Sequence, residues 1–135
     1  MKKHYYYLII LPVVITILII ILSVCTQRYL YATSNEMAMQ LEKIESTIKS
    51  KGLPAASGDF DKLNDMWGKH KTLWTILLNH REIDTIDNSM RKLSVYINDD
   101  TSNFNRLLAD AELASLKQLY THLPEGEMLT LSNLF

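Results

Sequence analysis

The chain has 135 residues, of which 47% are hydrophobic and 21% are charged, and its formal net charge is −1. This balance argues against a nucleic-acid-binding protein that relies on a basic surface. The single cysteine, Cys25, excludes an intramolecular disulfide and a zinc site built from cysteines.

An uncharged stretch of 21 residues runs from Tyr5 to Cys25. As a helix it would be about 31 Å long, close to the hydrocarbon thickness of a bilayer. Tyrosines lie at both of its edges, as in the aromatic belts of membrane proteins: Tyr5, Tyr6, Tyr7, Tyr29 and Tyr31. We therefore predict a transmembrane helix at residues 5–25.

Two other fates of this stretch stay open, namely removal as a signal peptide and lipidation at Cys25. The apolar region of a signal peptide usually runs for about 7–15 residues, which is shorter than this one. The residues before Cys25 resemble a lipoprotein cleavage box, but Val24 stands where a small residue is usual. A retained anchor is the favoured interpretation.

The charges that flank the apolar stretch predict its orientation. Lys2 and Lys3 lie just before it, whereas only Arg28 follows it closely. Positive charge is retained on the cytoplasmic side of a membrane. We expect a single-pass protein of the cell membrane with a cytoplasmic N-terminus at residues 1–4 and an extracytoplasmic helical bundle at residues 26–135.

The extracytoplasmic part is predicted to be all-α, with about four helices in an antiparallel arrangement. The first of them continues out of the membrane and ends at Gly52, with Pro54 shortly after. Its apolar seam has the spacing of packed helices: Leu30, Ser34, Met37, Leu41, Ile44 and Ile48. We favour packing within the bundle over a dimeric coiled coil, although a homo-oligomer stays open.

The second helix should follow the turn at residues 51–58, with Ser57 or Asp59 as its cap. Its predicted core positions are Phe60, Leu63, Trp67, His70, Trp74 and Leu77. Three further apolar residues predict that its end is buried on more than one side: Leu73, Ile76 and Leu78. The two tryptophans are expected to be core anchors.

The third helix carries the apolar positions Ile83, Ile86, Met90, Leu93 and Ile97. A break near Asn79 is inferred from length alone, so one kinked helix over residues 59–98 stays open. After a turn at residues 98–102, a fourth helix should end before Pro124 and be followed by a docked tail. Its predicted apolar positions are Phe104, Leu107, Leu108, Ala111, Leu113, Leu116, Tyr120 and Leu123.

Short loops between antiparallel helices would bring four polar residues together at the membrane end of the bundle: His80, Glu82, Asp84 and His122. These side chains are of the types that bind divalent metal ions. However, the spacing of two residues points the first three around a helix rather than along one face. We expect His80 and the acids to cap the third helix or to form a buried hydrogen-bond network, with no metal and no cofactor.

Nothing in the sequence indicates an enzyme. The only cysteine lies in the apolar stretch, and there is no nucleophile elbow and no glycine-rich phosphate loop. The paired carboxylates Asp84/Asp87 and Asp99/Asp100 are explained as helix caps. His70 falls on the apolar seam, where a partly buried core histidine is expected.

Several motifs occur in an order that carries a resemblance: residues 67–71 (WGKHK), Trp74, 79–86 (NHREIDTI), 122–125 (HLPE) and 129–135 (LTLSNLF). With the N-terminal anchor, they resemble an uncharacterised family of short, membrane-anchored helical proteins from spore-forming Gram-positive bacteria. The resemblance implies an anchored bundle without an assigned activity. It also implies a link to a multi-pass membrane protein encoded beside such genes.

The favoured function is a non-enzymatic interaction or accessory module that docks a membrane partner. Its predicted contact residues lie at the membrane end of the bundle: Arg81, His122, Leu134 and Phe135. The alternative is an extracytoplasmic sensor or small-ligand-binding domain that uses the helix of Trp67 and Trp74 as one wall. The bilayer is the expected partner in either case, and nucleic acid is not.

Overall fold

In the computed structural model, the chain is described for residues 2–99 and 103–132, and side chains are described for residues 6–99 and 103–125. The described residues form an all-α fold with no strands, in which a long apolar helix leads into a helical bundle. This architecture confirms the predicted fold class. Its elements are α1 (Lys2–Lys51), a 3-10 turn (Pro54–Ala56), α2 (Ser57–Leu77), α3 (His80–Asn98) and α4 (Asn103–Ser132).

The two halves of α1 have different surroundings. In the N-terminal half, the exposed fractions of the large apolar side chains between Tyr6 and Leu22 range from 45% to 72%. Among the described residues, the segment Tyr6–Lys51 is the one helix that is long and apolar enough to cross a membrane. In the C-terminal half, all six predicted seam residues are buried, which confirms the seam and its packing within the chain.

Gly52 ends α1 as predicted. Its φ of +92° lies in the left-handed region that favours glycine, and its N–H donates to the Ile48 carbonyl at 3.0 Å. Leu53 then begins the 3-10 turn and is itself buried.

The predicted cap of α2 is wrong, because neither Ser57 nor Asp59 caps the helix. The 3-10 turn enters α2 directly, so Ala56 is the N-cap and makes no side-chain cap. The Asp59 carboxylate instead reaches α1, where it accepts a hydrogen bond from the Thr47 hydroxyl at 2.8 Å and pairs with the Lys43 ammonium at 2.9 Å. Asp59 therefore ties the start of α2 to α1.

The end of α2 is less buried than predicted. Leu78 is buried, but Leu73 is 47% exposed and Ile76 is 73% exposed. The error has a geometric reason, since α1 and α3 cover only one side of α2 and these two residues lie on the other. Trp67 and Trp74 are buried, which confirms them as core anchors.

Residues 59–98 form two helices, not one kinked helix. Leu78 and Asn79 have extended backbones between α2 and α3. The Asn79 side chain accepts a hydrogen bond from the Arg81 N–H at 3.1 Å, so Asn79 is the cap and the expected capping by His80 is wrong. Glu82 lies in the first turn of α3, as a helix dipole favours.

All five predicted apolar positions of α3 are buried, but the prediction for α4 was too wide. Phe104 is 63% exposed, Leu107 is 65% exposed, and Ala111 is exposed as well. The buried stripe of α4 starts at Ala109 and continues through Leu113, Leu116, Tyr120 and Leu123. Phe104 and Leu107 lie off that face, which explains the error. Part of the predicted turn, residues 100–102, falls outside the described residues.

The prediction that α4 ends before Pro124 is also wrong, because the helix continues to Ser132 with Pro124 inside it. Proline has no N–H, so the Tyr120 carbonyl loses its normal donor four residues later. The Ser34 hydroxyl of α1 donates to that carbonyl instead. The predicted docking of the tail lies outside the residues whose side chains are described.

Candidate functional site

Antiparallel packing defines an end of the bundle that faces the apolar half of α1. On α4, Tyr120 is joined to Ser34, and Lys117 pairs with Glu42 at 2.8 Å, so α4 runs back towards Cys25. On α2, His70 is joined to Tyr29. The end of α2, the start of α3 and the end of α4 therefore meet at one end, here called the proximal end.

Three aromatic side chains fill the core between α2 and α4. The rings of Trp67, Trp74 and Tyr120 pack edge to face, with centroids 5.6, 5.8 and 6.2 Å apart. All three residues are buried. Edge-to-face contacts of this kind add stability beyond the burial of the rings themselves. We call these residues the aromatic layer.

The aromatic layer is connected to α1 and α3 by hydrogen bonds. The Trp74 indole N–H donates to the Thr33 hydroxyl at 3.0 Å, and that hydroxyl donates to the Tyr29 carbonyl at 2.9 Å. The Trp67 indole N–H donates to the Asp87 carboxylate at 2.7 Å, and the Lys71 ammonium contacts the same carboxylate at 2.5 Å. These contacts fix both tryptophans in place.

Asp87 is the residue that the sequence reasoning misjudged most. The sequence predicts that Asp87 is a helix cap, but it lies in the middle of α3. Its carboxylate accepts hydrogen bonds from the side chains of Trp67 and Lys71 of α2. The signal was present in the sequence, because Trp67 and Lys71 are four residues apart and so share one face of a helix. Two donors on one face can meet a single acceptor on a neighbouring helix.

Two tyrosines of the core are held in their neutral form. Burial raises the pKa of the Tyr120 hydroxyl, and the charge of Asp87 raises it further. Among the described residues, this hydroxyl has no hydrogen-bond partner. Burial also raises the pKa of Tyr29, with Glu36 adding to the effect, and the Tyr29 hydroxyl lies 2.7 Å from Nδ1 of the partly buried His70.

The four candidate metal ligands are not brought together in one cluster. His80 and Asp84 are exposed in the first turns of α3, and Glu82 is partly buried there. His122 lies on α4, with its Nδ1 atom 3.2 Å from a carboxylate oxygen of Glu125. Within the residues whose side chains are described, no three His, Cys, Asp or Glu side chains could hold a metal ion.

A polar groove lies between α3 and α4 and reaches the first turn of α3 at the proximal end. Its lining includes Asn79, Arg81, Asp84, Thr85, Asn88, Ser89, Lys92, Glu112 and Ser115. Lys92 and Glu112 form a salt bridge of 3.1 Å across it. Two of the predicted site residues, Arg81 and Asp84, share this α3–α4 groove.

The other predicted contact residues are placed differently. His122 is exposed and lies outside the lining of the α3–α4 groove. Leu134 and Phe135 fall outside the described residues. The groove can donate and accept hydrogen bonds and presents both signs of charge, which suits a polar protein segment.

Comparison with known proteins places the chain in a family. A family model described as "Domain of unknown function (DUF4363)" matches residues 24–134. The chain belongs to this family. The match covers the bundle and begins at Val24, near the end of the apolar stretch. Neither a curated protein nor a solved structure matches the chain.

Proposed function

We propose that the chain is a non-enzymatic, membrane-anchored interaction module whose bundle docks a membrane protein through its proximal end. The N-terminal half of α1 is a retained single span in the cell membrane. Residues 1–4 are cytoplasmic, and residues 26–135 are extracytoplasmic. The predicted contact residues remain Arg81, His122, Leu134 and Phe135.

One observation carries the proposal. The hydrophobic half of α1 is apolar around its whole circumference, and no part of its most hydrophobic 18-residue window is buried by the rest of the chain. A soluble monomer rarely exposes a continuous apolar surface of this size. A helix satisfies nearly all of its own backbone hydrogen bonds, and the single carbonyl that Pro12 leaves without a donor is tolerated in membrane helices, so a bilayer can surround the span.

The orientation is supported by the flanking charges. Lys2 and Lys3 precede the span, and the side that follows it carries only Arg28 nearby. Such a distribution keeps the N-terminus in the cytoplasm and exports the rest of the chain.

The unbroken passage of α1 from the span into the core supports a role in docking. A continuous helix holds the bundle at a defined height above the membrane. Confinement to the membrane plane also raises the effective concentration of the bundle towards any partner in the same membrane.

The α3–α4 groove is the surface that we assign to the partner. Arg81 is exposed and lines this groove in the first turn of α3, and Asp84 lines the same groove. Arginine is enriched among the residues that dominate protein interfaces, because its guanidinium group donates several hydrogen bonds from a rigid plane. The extracytoplasmic loop of an integral membrane protein is the partner that this position favours.

The structure offers less support for a small-ligand binder. Trp67 and Trp74 pack against each other and against Tyr120, so the faces of these rings are already used in the core. A ligand wall would need a ring face open to solvent. Trp74 is fully buried.

The test is recovery of a partner from detergent-solubilised membranes of cells that produce the full chain. The wild type is compared with Arg81→Glu and with the control Arg91→Glu, which changes an exposed arginine of the same helix outside the α3–α4 groove. We expect an integral membrane protein with the wild type and the control, and a recovery at least several-fold lower with Arg81→Glu. Equal recovery with both variants, or no membrane protein at all, would contradict the proposal.

A further inference from the structure

The last turn of α2 lies at the height where α1 leaves the apolar stretch. The Tyr29–His70 and Thr33–Trp74 hydrogen bonds align residues 29–33 of α1 with residues 70–74 of α2. The two helices are antiparallel, so later residues of α2 lie progressively closer to Cys25. With the same rise per residue in both helices, Leu73 and Ile76 lie level with about residues 26–30 of α1.

This level corresponds to the interfacial layer of a bilayer when residues 5–25 span it. The polar headgroups extend about 5–7 Å beyond each side of the hydrocarbon core, which is about four or five residues of helix. Tyr29 and Tyr31 lie in the same layer, and tyrosine is enriched there. The side chain of Tyr31 is 60% exposed.

Leu73 and Ile76 are large apolar side chains that α2 leaves exposed at this height. Among the described side chains, Ile76, at 73% exposure, is the most exposed large hydrophobic residue outside the apolar half of α1. Neither residue contributes to the core. What distinguishes them from exposed apolar residues elsewhere on the bundle is their height, which is that of the bilayer interface.

The charges around them fit a lipid surface. Residues 66–81 contain no Asp or Glu, and Lys69 and Arg81 are exposed basic residues of this segment. Basic residues near a membrane are attracted to anionic headgroups, and their side chains extend towards the phosphate layer. Apolar residues flanked by basic ones are typical of segments that lie in a membrane interface.

We propose that Leu73 and Ile76 insert into the interfacial layer of the bilayer, so that the bundle rests on the membrane through the last turn of α2 as well as through α1. The proposal rests on the retained span of the proposed function. It adds a second, lateral contact that holds the bundle against the lipid surface.

The test uses spin-labelled full-length chain in vesicles of phosphatidylcholine and phosphatidylglycerol. Single cysteines are introduced into a Cys25→Ser background, one at a time, as Leu73→Cys and Ile76→Cys. The matched controls are Val95→Cys and Leu107→Cys, since these residues are 57% and 65% exposed at the other end of the bundle. Leu18→Cys reports on the span itself.

The depth of each label in the membrane is measured by its collisions with two reagents. Oxygen concentrates in lipid, and a nickel chelate stays in water. We expect labels at positions 73 and 76 to meet oxygen readily and the chelate several-fold less than labels at positions 95 and 107. The label at position 18 should show the deepest lipid signature.

Three results would overturn the proposal. In the first, the labels at 73 and 76 have the same collision rates as those at 95 and 107, while the label at 18 lies in lipid. The anchor would then be retained and the second contact would not exist. Labels at 73 and 76 shielded from both reagents, with spin–spin broadening, would indicate a second copy of the chain. An aqueous label at position 18 would refute the span and with it both proposals.

Discussion

The two halves of α1 are one continuous helix in two different surroundings. From Tyr6 to Leu22 the large apolar side chains are all exposed, whereas from Leu30 to Ile48 a single seam is buried and the other faces are mostly polar, with Tyr31 and Met39 exposed. Both halves are helical, and Pro12 in the apolar half removes only one backbone donor, so the backbone hardly distinguishes them. The difference lies only in how hydrophobic residues are distributed around the axis.

The two surroundings require different sequence patterns in the two halves of α1. A helix packed on one side shows apolar residues at intervals of three and four, while a helix surrounded by lipid is apolar on every side. The same substitution should therefore change the stability of the bundle in the packed half and leave it unchanged in the apolar half.

The largest effect is expected for the same substitution made in each half of α1. Leu41 is 1% exposed and Leu18 is 60% exposed. Leu41→Ala should lower the free energy of unfolding of the bundle by about 2–5 kcal/mol, because it leaves a cavity in the core. Leu18→Ala should leave that free energy unchanged.

Both variants are measured by urea denaturation of the full chain in detergent, with the fluorescence of the buried tryptophans Trp67 and Trp74 as the probe. Similar losses in the two variants would mean that the apolar half of α1 is part of the folded core, contrary to our account.

A smaller effect is expected where the packed half of α1 meets α4. Ser34→Ala removes the donor to the Tyr120 carbonyl and leaves a buried acceptor unsatisfied, at a cost of about 1–3 kcal/mol. Pro124→Ala returns an N–H group to α4, so Ser34→Ala should cost less in that background. The control Ser50→Ala removes an exposed hydroxyl bonded to the Ser46 carbonyl and should change stability by less than about 0.5 kcal/mol. Additive effects of Ser34→Ala and Pro124→Ala in the urea assay would argue against this compensation.

The smallest effect concerns the tie between α1 and α2 at Asp59. Hydrogen bonds from Lys43 and Thr47 hold the pKa of this carboxyl below its usual value. Because the folded pKa lies below the unfolded one, the stabilisation is present above about pH 4 and is lost as the pH falls through the folded pKa.

Asp59→Asn should therefore lower stability by about 1 kcal/mol at pH 7. The difference from the wild type should shrink below about pH 4. Asp61→Asn, at an exposed position on the same turn, is the control. Thermal denaturation across pH 3–7 measures both; an Asp59→Asn deficit that stays constant over this range would contradict the assignment.

The helices and most of the core could be predicted because their signals are local. The seam of α1, the buried stripe of α3 and the end of α1 at Gly52 depend on spacing and on the conformational freedom of one glycine. The predictions failed where the outcome depends on a distant partner. The helix α4 continues through Pro124, and Ser34, 90 residues earlier in the chain, donates to the Tyr120 carbonyl that loses its helical donor there.

The width of each buried face also could not be predicted from the sequence. Periodicity identifies the centre of a stripe, whereas its edges depend on how neighbouring helices cross it. Leu73 and Ile76 on α2, and Phe104 and Leu107 on α4, lie off the buried faces. The sequence named Arg81 as a partner contact and Asp84 as a weak metal candidate, and it did not predict that both line one groove. The role of Asp87 required knowing that α2 and α3 are neighbours.

The central claim is tested most directly by labelling intact cells with a membrane-impermeant maleimide. In a Cys25→Ser background, Ser46→Cys places a thiol on an exposed position of the bundle, and Lys3→Cys places one before the span. Our account predicts that the thiol at position 46 reacts without lysis and that the thiol at position 3 reacts only after lysis. Reaction of position 46 only after the cells are opened would contradict it.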